Sequence, residues 1–134
     1  MNIFVETSVW SLALRRDSPS NRPEVAFLAR ALESGDSVFS TGLVLQELLQ
    51  GFMAPRARNS IVERFSALPF LVPDREDHIR AAELRNKCRR RGLQVTTMDA
   101  LLAQLCIRHD LVMLSTDADF ARIARVQAFS VWRE

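Results

Sequence analysis

The chain has 134 residues, a formal net charge of +2 at pH 7 and 48% hydrophobic residues, which suits one ordered globular domain. No apolar run reaches the roughly 18 residues that a transmembrane helix needs, so composition argues against a membrane-spanning or disordered protein. The first residues lack the features of a secretory signal, and we therefore expect a cytoplasmic protein with a single domain over residues 1–134. Cys88 and Cys106 have no CxxC spacing and are expected to be reduced.

Short apolar runs alternate with helical periodicity along the whole chain. In chain order, the patterns predict strand 2–5, helix 7–15, helix 23–33, strand 37–40, helix 43–50, helix 55–68, strand 70–72, helix 74–91, helix 98–109, strand 111–114, helix 117–124 and strand 126–131. Helix 98–109 has the most regular apolar periodicity. Strands that alternate with helices predict an α/β fold, with a short, mainly parallel sheet covered by helices on both faces.

Carboxylates stand at the edges of several of these apolar runs. Glu6 follows the first strand and Asp117 follows strand 111–114, while Glu47 and Asp99 lie on helices. Ligands of parallel α/β sheets sit beyond the carboxyl ends of the strands, so Glu6 and Asp117 fall at that edge without further assumption. Glu47 lies on a mostly apolar helix, where an ionised side chain is costly to bury unless something pairs with it.

Each acid also has a purely structural explanation. Glu6 suits the start of a helix, where the helix dipole favours negative charge, and Glu47 suits the exposed side of a partly buried helix. The spacing Thr96-x-x-Asp99 matches a capping box, in which the acid bonds back to the cap. Asp117 or Asp119 can cap the short helix that follows them. The functional interpretation rests on the joint placement of these acids.

No histidine or cysteine lies in the acidic segments, and His78 and His109 are expected to be structural or exposed. Oxygen ligands alone suit Mg²⁺ or Mn²⁺ better than Zn²⁺. Such ions hold phosphate oxygens and activate water. Thr7, Ser8 and Thr116 add hydroxyls that are able to support the site. The sequence therefore predicts a metal site for phosphoryl chemistry.

Basic residues are almost all arginine, and Lys87 is the only lysine. Arginine binds phosphate bidentately, which makes Arg15, Lys87, Arg89 and Arg90 candidates for RNA contact. Two alternatives stay open: the cluster complements a helix C-terminal dipole, and a GC-rich genome favours arginine codons.

Four segments together resemble PIN-domain ribonucleases, in particular VapC-type toxins of type II toxin–antitoxin systems. They are Ile-Phe-Val-Glu-Thr-Ser-Val-Trp at the start, Val-Leu-Gln-Glu-Leu around Glu47, Thr-x-Asp-Ala-Leu-Leu-Ala around Asp99, and Leu-Ser-Thr-Asp-Ala-Asp-Phe near the end. The resemblance implies a three-layer PIN sandwich and an endoribonuclease that depends on Mg²⁺ or Mn²⁺. It also implies an RNA substrate, a homodimer, a VapB-like antitoxin partner and no membrane association.

Carried over residue by residue, the family's four acids fall on Glu6, Glu47, Asp99 and Asp117, with Asp119 as an auxiliary metal ligand. The family has Asp where this chain has Glu6, and Mg²⁺ demands near-ideal octahedral geometry. Two interpretations follow from that departure: an active toxin endoribonuclease, or a catalytically weakened PIN module that binds RNA or a partner protein. A haloacid-dehalogenase phosphatase, suggested by Asp117-Ala-Asp119, is rejected because it needs a nucleophilic Asp on an early strand.

An apolar surface is predicted around the first helix and the segment after Gly51. Its members are Trp10, Leu12, Leu14, Phe52 and Met53. In the family this region lies near the groove where the antitoxin docks. Ordinary core packing is the alternative for each residue singly.

Overall fold

A computed structural model describes residues 1–134. Its centre is one sheet of four strands: β1 (Asn2–Val5), β2 (Ser37–Thr41), β3 (Phe70–Leu71) and β4 (Val112–Leu114). The strand order is β3-β2-β1-β4, and every strand pair is parallel. Ile3, Phe4 and Val5 of the central strand are all fully buried. Because successive strand residues point to opposite faces, both faces of the sheet are covered, as the sequence predicts.

Seven helices flank the sheet. They are α1 (Thr7–Ala13), α2 (Pro23–Ser34), α3 (Gly42–Gly51), α4 (Pro55–Phe65), α5 (Arg75–Arg90), α6 (Thr97–His109) and α7 (Asp119–Val126). Helix α1 packs against α2 and α3, while α6 packs against α5, α7 and β4. None of the seven helices combines the length and the apolarity needed to cross a membrane.

Helix α6 is more deeply buried than its sequence periodicity indicates. Seven consecutive residues, 100–106, are buried, including Gln104. The pattern predicts an apolar stripe along one side, but α6 is enclosed by its neighbours on several sides. Cys106 on α6 and Cys88 on α5 are buried free thiols, in agreement with the prediction of reduced cysteines. The enclosure fixes α6, and with it the residues at its N-terminal end.

A buried charge network joins α5 to α6. Asp77 is 1% exposed and forms a reciprocal capping box with Asp74 at the start of α5. Its carboxylate also accepts hydrogen bonds from Gln104 Nε2 at 3.4 Å and from the Arg108 guanidinium. Burial acts to raise the pKa of Asp77, but the Asp74 backbone N–H, Gln104 and Arg108 together hold it below its usual value. Asp77 is therefore an ionised, paired carboxylate that locks α6 against α5.

The predicted last strand, 126–131, is wrong. Helix α7 continues to Val126, and the Gln127 N–H bonds back to the Ile123 carbonyl at 2.9 Å. Only Val131 pairs with the sheet, through an isolated parallel bridge to Met113. Two backbone hydrogen bonds hold this bridge, from the Met113 N–H to the Ser130 carbonyl and from the Trp132 N–H to the Met113 carbonyl, both at 2.9 Å. Smaller differences concern helix ends: the predicted helices 7–15, 55–68 and 117–124 are observed as α1, α4 and α7.

Candidate metal centre

Three aspartates converge beyond the carboxyl ends of the strands. Asp117 lies in the loop after β4, Asp119 opens α7, and Asp99 is the third residue of α6. One carboxylate oxygen from each lies within 4.8 Å of those of the other two. Parallel strands bring such loops to one edge of the sheet, which is why residues distant in sequence meet there. The predicted acids Asp99, Asp117 and Asp119 are thus neighbours.

Asp99 is directed into this cluster by the way α6 begins. The Thr96 hydroxyl accepts the Asp99 backbone N–H at 3.1 Å and caps the helix. The return bond of a full capping box, from the Thr96 backbone N–H to the Asp99 carboxylate, is not formed, but the Thr96 hydroxyl interacts with that carboxylate and acts to lower its pKa. Burial, together with the negative charges of Glu6 and Asp117, raises the pKa of Asp99 to about 6. The surroundings of Asp99 therefore disfavour the ionised form of its carboxylate.

Glu6 is held by two hydroxyl groups at the end of β1. Its backbone N–H donates to the Leu114 carbonyl at 2.9 Å, which ties it to β4. Its carboxylate oxygen Oε1 accepts hydrogen bonds from Ser8 Oγ at 2.5 Å and from Ser115 Oγ at 2.7 Å. The carboxylate is near enough to raise the pKa of Asp99, but it is outside the group of three that converge within 4.8 Å.

Ser115 is the supporting residue that sequence reasoning missed. Its hydroxyl donates to Glu6 and accepts the Asp117 backbone N–H at 2.9 Å, so it links two of the candidate acids. Of the predicted hydroxyls, Ser8 contacts Glu6, whereas Thr116 contributes its backbone N–H to Ser8 Oγ at 3.0 Å. The available signal was position, since Ser115 is the first residue after β4.

Glu47 is outside the group of three aspartates whose carboxylate oxygens converge within 4.8 Å. It is an exposed residue of α3, whose buried side chains are Val44 and Leu48. Its oxygen Oε1 accepts a hydrogen bond from Thr7 Oγ1 at 2.6 Å, and this bond joins α3 to the start of α1. Thr7 therefore orients Glu47, while Ser8 orients Glu6.

Asp117 and Asp119 also have the local roles that their sequence positions suggest. Asp117 Oδ1 accepts the Asp119 backbone N–H at 2.9 Å as α7 begins. Asp119 Oδ1 pairs with Arg122 Nη1 at 2.7 Å. Asp117 and Asp119 therefore both stabilise the start of α7 and belong to the acidic cluster.

The four predicted RNA-contacting side chains do not form one patch. Arg89 lines a cleft that reaches Thr96, next to the acidic cluster. Lys87 and Arg90 line a different cleft, between α5 and α6, which Gln127 also lines. Arg15 lines a hollow near α1 and the start of α4. Of these four residues, only Arg89 lines a cleft that reaches the N-terminal end of α6.

Comparison with known proteins identifies the family of this chain. The family model for the PIN domain matches residues 3–126. The chain belongs to the PIN-domain family. This PIN domain is 30% identical to Ribonuclease VapC11 of Mycobacterium tuberculosis in an alignment of 126 residues that covers 92% of each protein. The resemblance inferred from the four sequence segments is confirmed.

Solved structures show the same fold at lower identity. VapBC2 from Rickettsia felis, solved with a DNA fragment from its promoter, superimposes with a TM-score of 0.74 at 16% identity, covering 99% of this PIN domain and all of that chain. The sarcin-ricin loop cleaving toxin VapC20 of Mycobacterium tuberculosis gives a TM-score of 0.67 at 19% identity, covering 90% and 93%. The predicted PIN-like architecture is therefore confirmed.

Proposed function

We propose that this PIN domain is the toxin endoribonuclease of a toxin–antitoxin pair and hydrolyses RNA phosphodiester bonds with the help of divalent metal ions. The observation that carries the proposal is the convergence of Asp99, Asp117 and Asp119 at the sheet edge, beside Glu6, in a chain related along 92% of its length to a ribonuclease. The RNA substrate follows from the name of that relative.

The donor set fits a hard cation. The cluster offers carboxylate oxygens, and its like charges disfavour full ionisation of Asp99 unless a cation neutralises them. Oxygen ligands of this kind suit Mg²⁺ or Mn²⁺. Asp99, Asp117 and Glu6 would hold the metal, with Asp119 and Glu47 as additional carboxylates. When bound, such an ion polarises the phosphate and lowers the pKa of water.

The hydroxyl residues would keep the acids in place during the reaction. Ser8 and Ser115 fix one oxygen of Glu6, and Thr7 fixes one oxygen of Glu47. Fixed donors and acceptors lower the cost of reorganising a site as charge develops. The second oxygen of Glu47 has no hydrogen bond within the chain and is available as a further oxygen ligand. Hydrolysis then leaves a 5′-phosphate and a 3′-hydroxyl.

A second candidate function is a weakened PIN module that binds RNA without turnover. The observation that favours it is Glu6, which replaces the shorter acid of the family and lies outside the three-aspartate group. Both of its hydroxyl bonds go to the same oxygen, so the longer side chain is held in a defined position. Whether that position permits metal-dependent cleavage decides between the two candidates.

The proposed partner is a VapB-like antitoxin encoded beside the toxin gene, because solved neighbours of this fold are VapBC complexes. The predicted apolar surface offers a docking region. Met53 is 81% exposed, and Leu14 and Phe52 line a hollow with Arg16 between α1 and α4, whereas Trp10 is buried against Phe65. We further propose a cytoplasmic homodimer with one PIN domain over residues 1–134.

Incubation of the purified protein with total RNA tests the proposal. We expect cleavage with Mn²⁺ or Mg²⁺, none in EDTA, and products that carry a 5′-phosphate. Asp99→Asn should abolish cleavage while retaining the wild-type circular dichroism spectrum. Metal-independent cleavage that persists in Asp99→Asn would contradict the proposed site. RNA binding without any cleavage by the wild type would instead establish the weakened module.

A further inference from the structure

One arginine reaches the candidate metal centre from α7. Arg122 Nη1 lies 2.7 Å from Asp119 Oδ1, and an Asp119 carboxylate oxygen lies within 4.8 Å of one oxygen each of Asp99 and Asp117. No other arginine, lysine or histidine nitrogen comes within 4.0 Å of a carboxylate oxygen of the five candidate acids. A single positive side chain therefore stands beside a group of negative ones.

The core holds the backbone of Arg122 in place. Phe120 and Ile123 lie on either side of Arg122 in α7, and both are fully buried. The Arg122 backbone N–H donates to the Ala118 carbonyl at 3.3 Å, so the residue belongs to the regular part of the helix. Because the helix is anchored and Asp119 restrains the guanidinium, Arg122 loses less conformational entropy when it binds a ligand.

Most of the Arg122 guanidinium is available to a ligand. An arginine side chain has five N–H donors, and that of Arg122 makes one hydrogen bond within the chain, from Nη1 to Asp119 Oδ1. The side chain is 56% exposed. The planar fork of a guanidinium matches two oxygens of one phosphate group. Arg122 is therefore able to donate to a phosphate while it remains beside the acids.

We propose that Arg122 binds the non-bridging oxygens of the RNA phosphodiester that is cleaved and stabilises the negative charge that develops on them. The inference rests on the proposed ribonuclease function. The acids alone repel a phosphate, and a site for phosphoryl chemistry needs positive groups that hold it. A bound metal ion supplies one such group, and Arg122 is the side chain of this chain that is placed to supply another.

Hydrolysis raises the negative charge around phosphorus. The water oxygen bonds to phosphorus and stays on the 5′-phosphate product, the bond from phosphorus to O3′ breaks, and O3′ takes up a proton from the water. While these bonds change, the non-bridging oxygens carry more negative charge than they do in the RNA. A guanidinium that is positioned before the reaction stabilises that charge with little reorganisation. Arg122 is thereby a catalytic residue, because it contacts the reacting phosphate.

An ordinary surface ion pair is the competing explanation for this contact. Exposed pairs contribute little to stability, and the helix dipole already favours Asp119 in the first turn of α7. If Arg122 only held Asp119 in place, its loss would weaken metal binding and cleavage together. If Arg122 binds the phosphate, its loss removes a positive charge beside the metal ligands, so a metal ion should bind at least as tightly while cleavage falls. The two explanations therefore differ in the metal affinity they predict.

Arg122→Gln tests the inference, and Arg125→Gln is the matched control because Arg125 is an exposed arginine of α7 that pairs with no acid. Cleavage of one RNA oligonucleotide at saturating Mn²⁺ gives kcat and KM, and calorimetry without RNA gives the Mn²⁺ affinity. We expect Arg122→Gln to lower kcat by about 100-fold, with a smaller change in KM. Its Mn²⁺ affinity should equal that of the wild type or exceed it by up to about 10-fold. Arg122→Lys keeps the charge but lacks the planar fork, and it should recover part of kcat.

The control variant should behave as the wild type in both measurements. Wild-type kcat in Arg122→Gln would overturn the inference and leave the proposed function standing. A parallel loss of Mn²⁺ binding and cleavage in Arg122→Gln would show that the arginine only holds Asp119, and an equal loss of kcat in Arg125→Gln would show a general effect of surface charge. Either result would also overturn the inference. No cleavage by the wild type would overturn the proposed function together with the inference.

Discussion

Replacing Asp99 with asparagine should stabilise the metal-free protein at neutral pH. The pKa of Asp99 rises from 3.8 to about 6 because the carboxylate is partly buried and lies near Glu6 and Asp117. One pKa unit corresponds to about 1.4 kcal/mol, so the shift has an upper limit of about 3 kcal/mol. Partial exposure to solvent screens the interaction and reduces it to about 1–2 kcal/mol.

The sign follows from the direction of the shift. A raised pKa means that the fold prefers the neutral acid, so this contribution is fully present below pH 3.8 and is lost as the pH rises through about 6. Asparagine is neutral throughout. Asp99→Asn should therefore match the wild type near pH 4 and exceed it near pH 7.5. The lost helix-dipole interaction offsets up to about 1 kcal/mol, so the net gain is about 1 kcal/mol, or roughly 4 °C in Tm.

Urea unfolding followed by circular dichroism, in EDTA at both pH values, measures this difference. Asp17→Asn is the control, because Asp17 is an exposed acid outside the cluster. Adding Mn²⁺ should reverse the order, since only the wild type gains stability from a bound ion. If Asp99→Asn is no more stable than the wild type at pH 7.5 in EDTA, then burial and the nearby negative charges do not destabilise the ionised Asp99 carboxylate.

Three further predictions concern Glu6, Ser115 and Arg108. Glu6→Asp should increase metal-dependent RNA cleavage by restoring the shorter family side chain, and equal activity of both forms in Mn²⁺ would contradict that expectation. Ser115→Ala should weaken Mn²⁺ binding by about 10- to 100-fold, because Glu6 and the Asp117 loop lose a shared hydroxyl, and unchanged affinity by calorimetry would exclude such a role. Arg108→Met should reduce the free energy of unfolding by about 2 kcal/mol at pH 7, because it leaves the buried Asp77 carboxylate without its ion-pair partner. The loss should be smaller below pH 3.8, the ordinary pKa of Asp77, because Asp77 is then protonated in the unfolded chain and the ion pair contributes less to stability. A pH-independent loss would contradict the ion-pair explanation.

The order of helices and strands follows from the sequence because local patterns specify it. The apolar residues of β1 and β4 form continuous runs, as buried parallel strands require, and all three observed strand pairs are parallel. The prediction for 126–131 failed because the Gln127 N–H continues the hydrogen bonding of α7, and periodicity over so few residues does not distinguish a helix end from a strand.

The candidate site was predictable in part. Acids after strand ends are expected at one edge of a parallel sheet, and the structure brings Asp99, Asp117 and Asp119 together there. The position of Ser115 directly after β4 was a signal, but its role depends on a hydroxyl that reaches Glu6, which follows a different strand, and the sequence alone does not specify that contact. The burial of Asp77 was missed for the same reason, since its partners Gln104 and Arg108 lie on a different helix.

Binding of Mn²⁺ measured beside RNA cleavage tests the central claim most directly. Calorimetric titration of the wild type and Asp99→Asn gives the affinity for the ion, and cleavage of one RNA over the same Mn²⁺ range gives the activation midpoint. We expect the two midpoints to coincide in the wild type, and we expect both binding and cleavage to be lost in Asp99→Asn. Tight binding and full cleavage that survive in Asp99→Asn would contradict a catalytic metal centre at this acidic cluster.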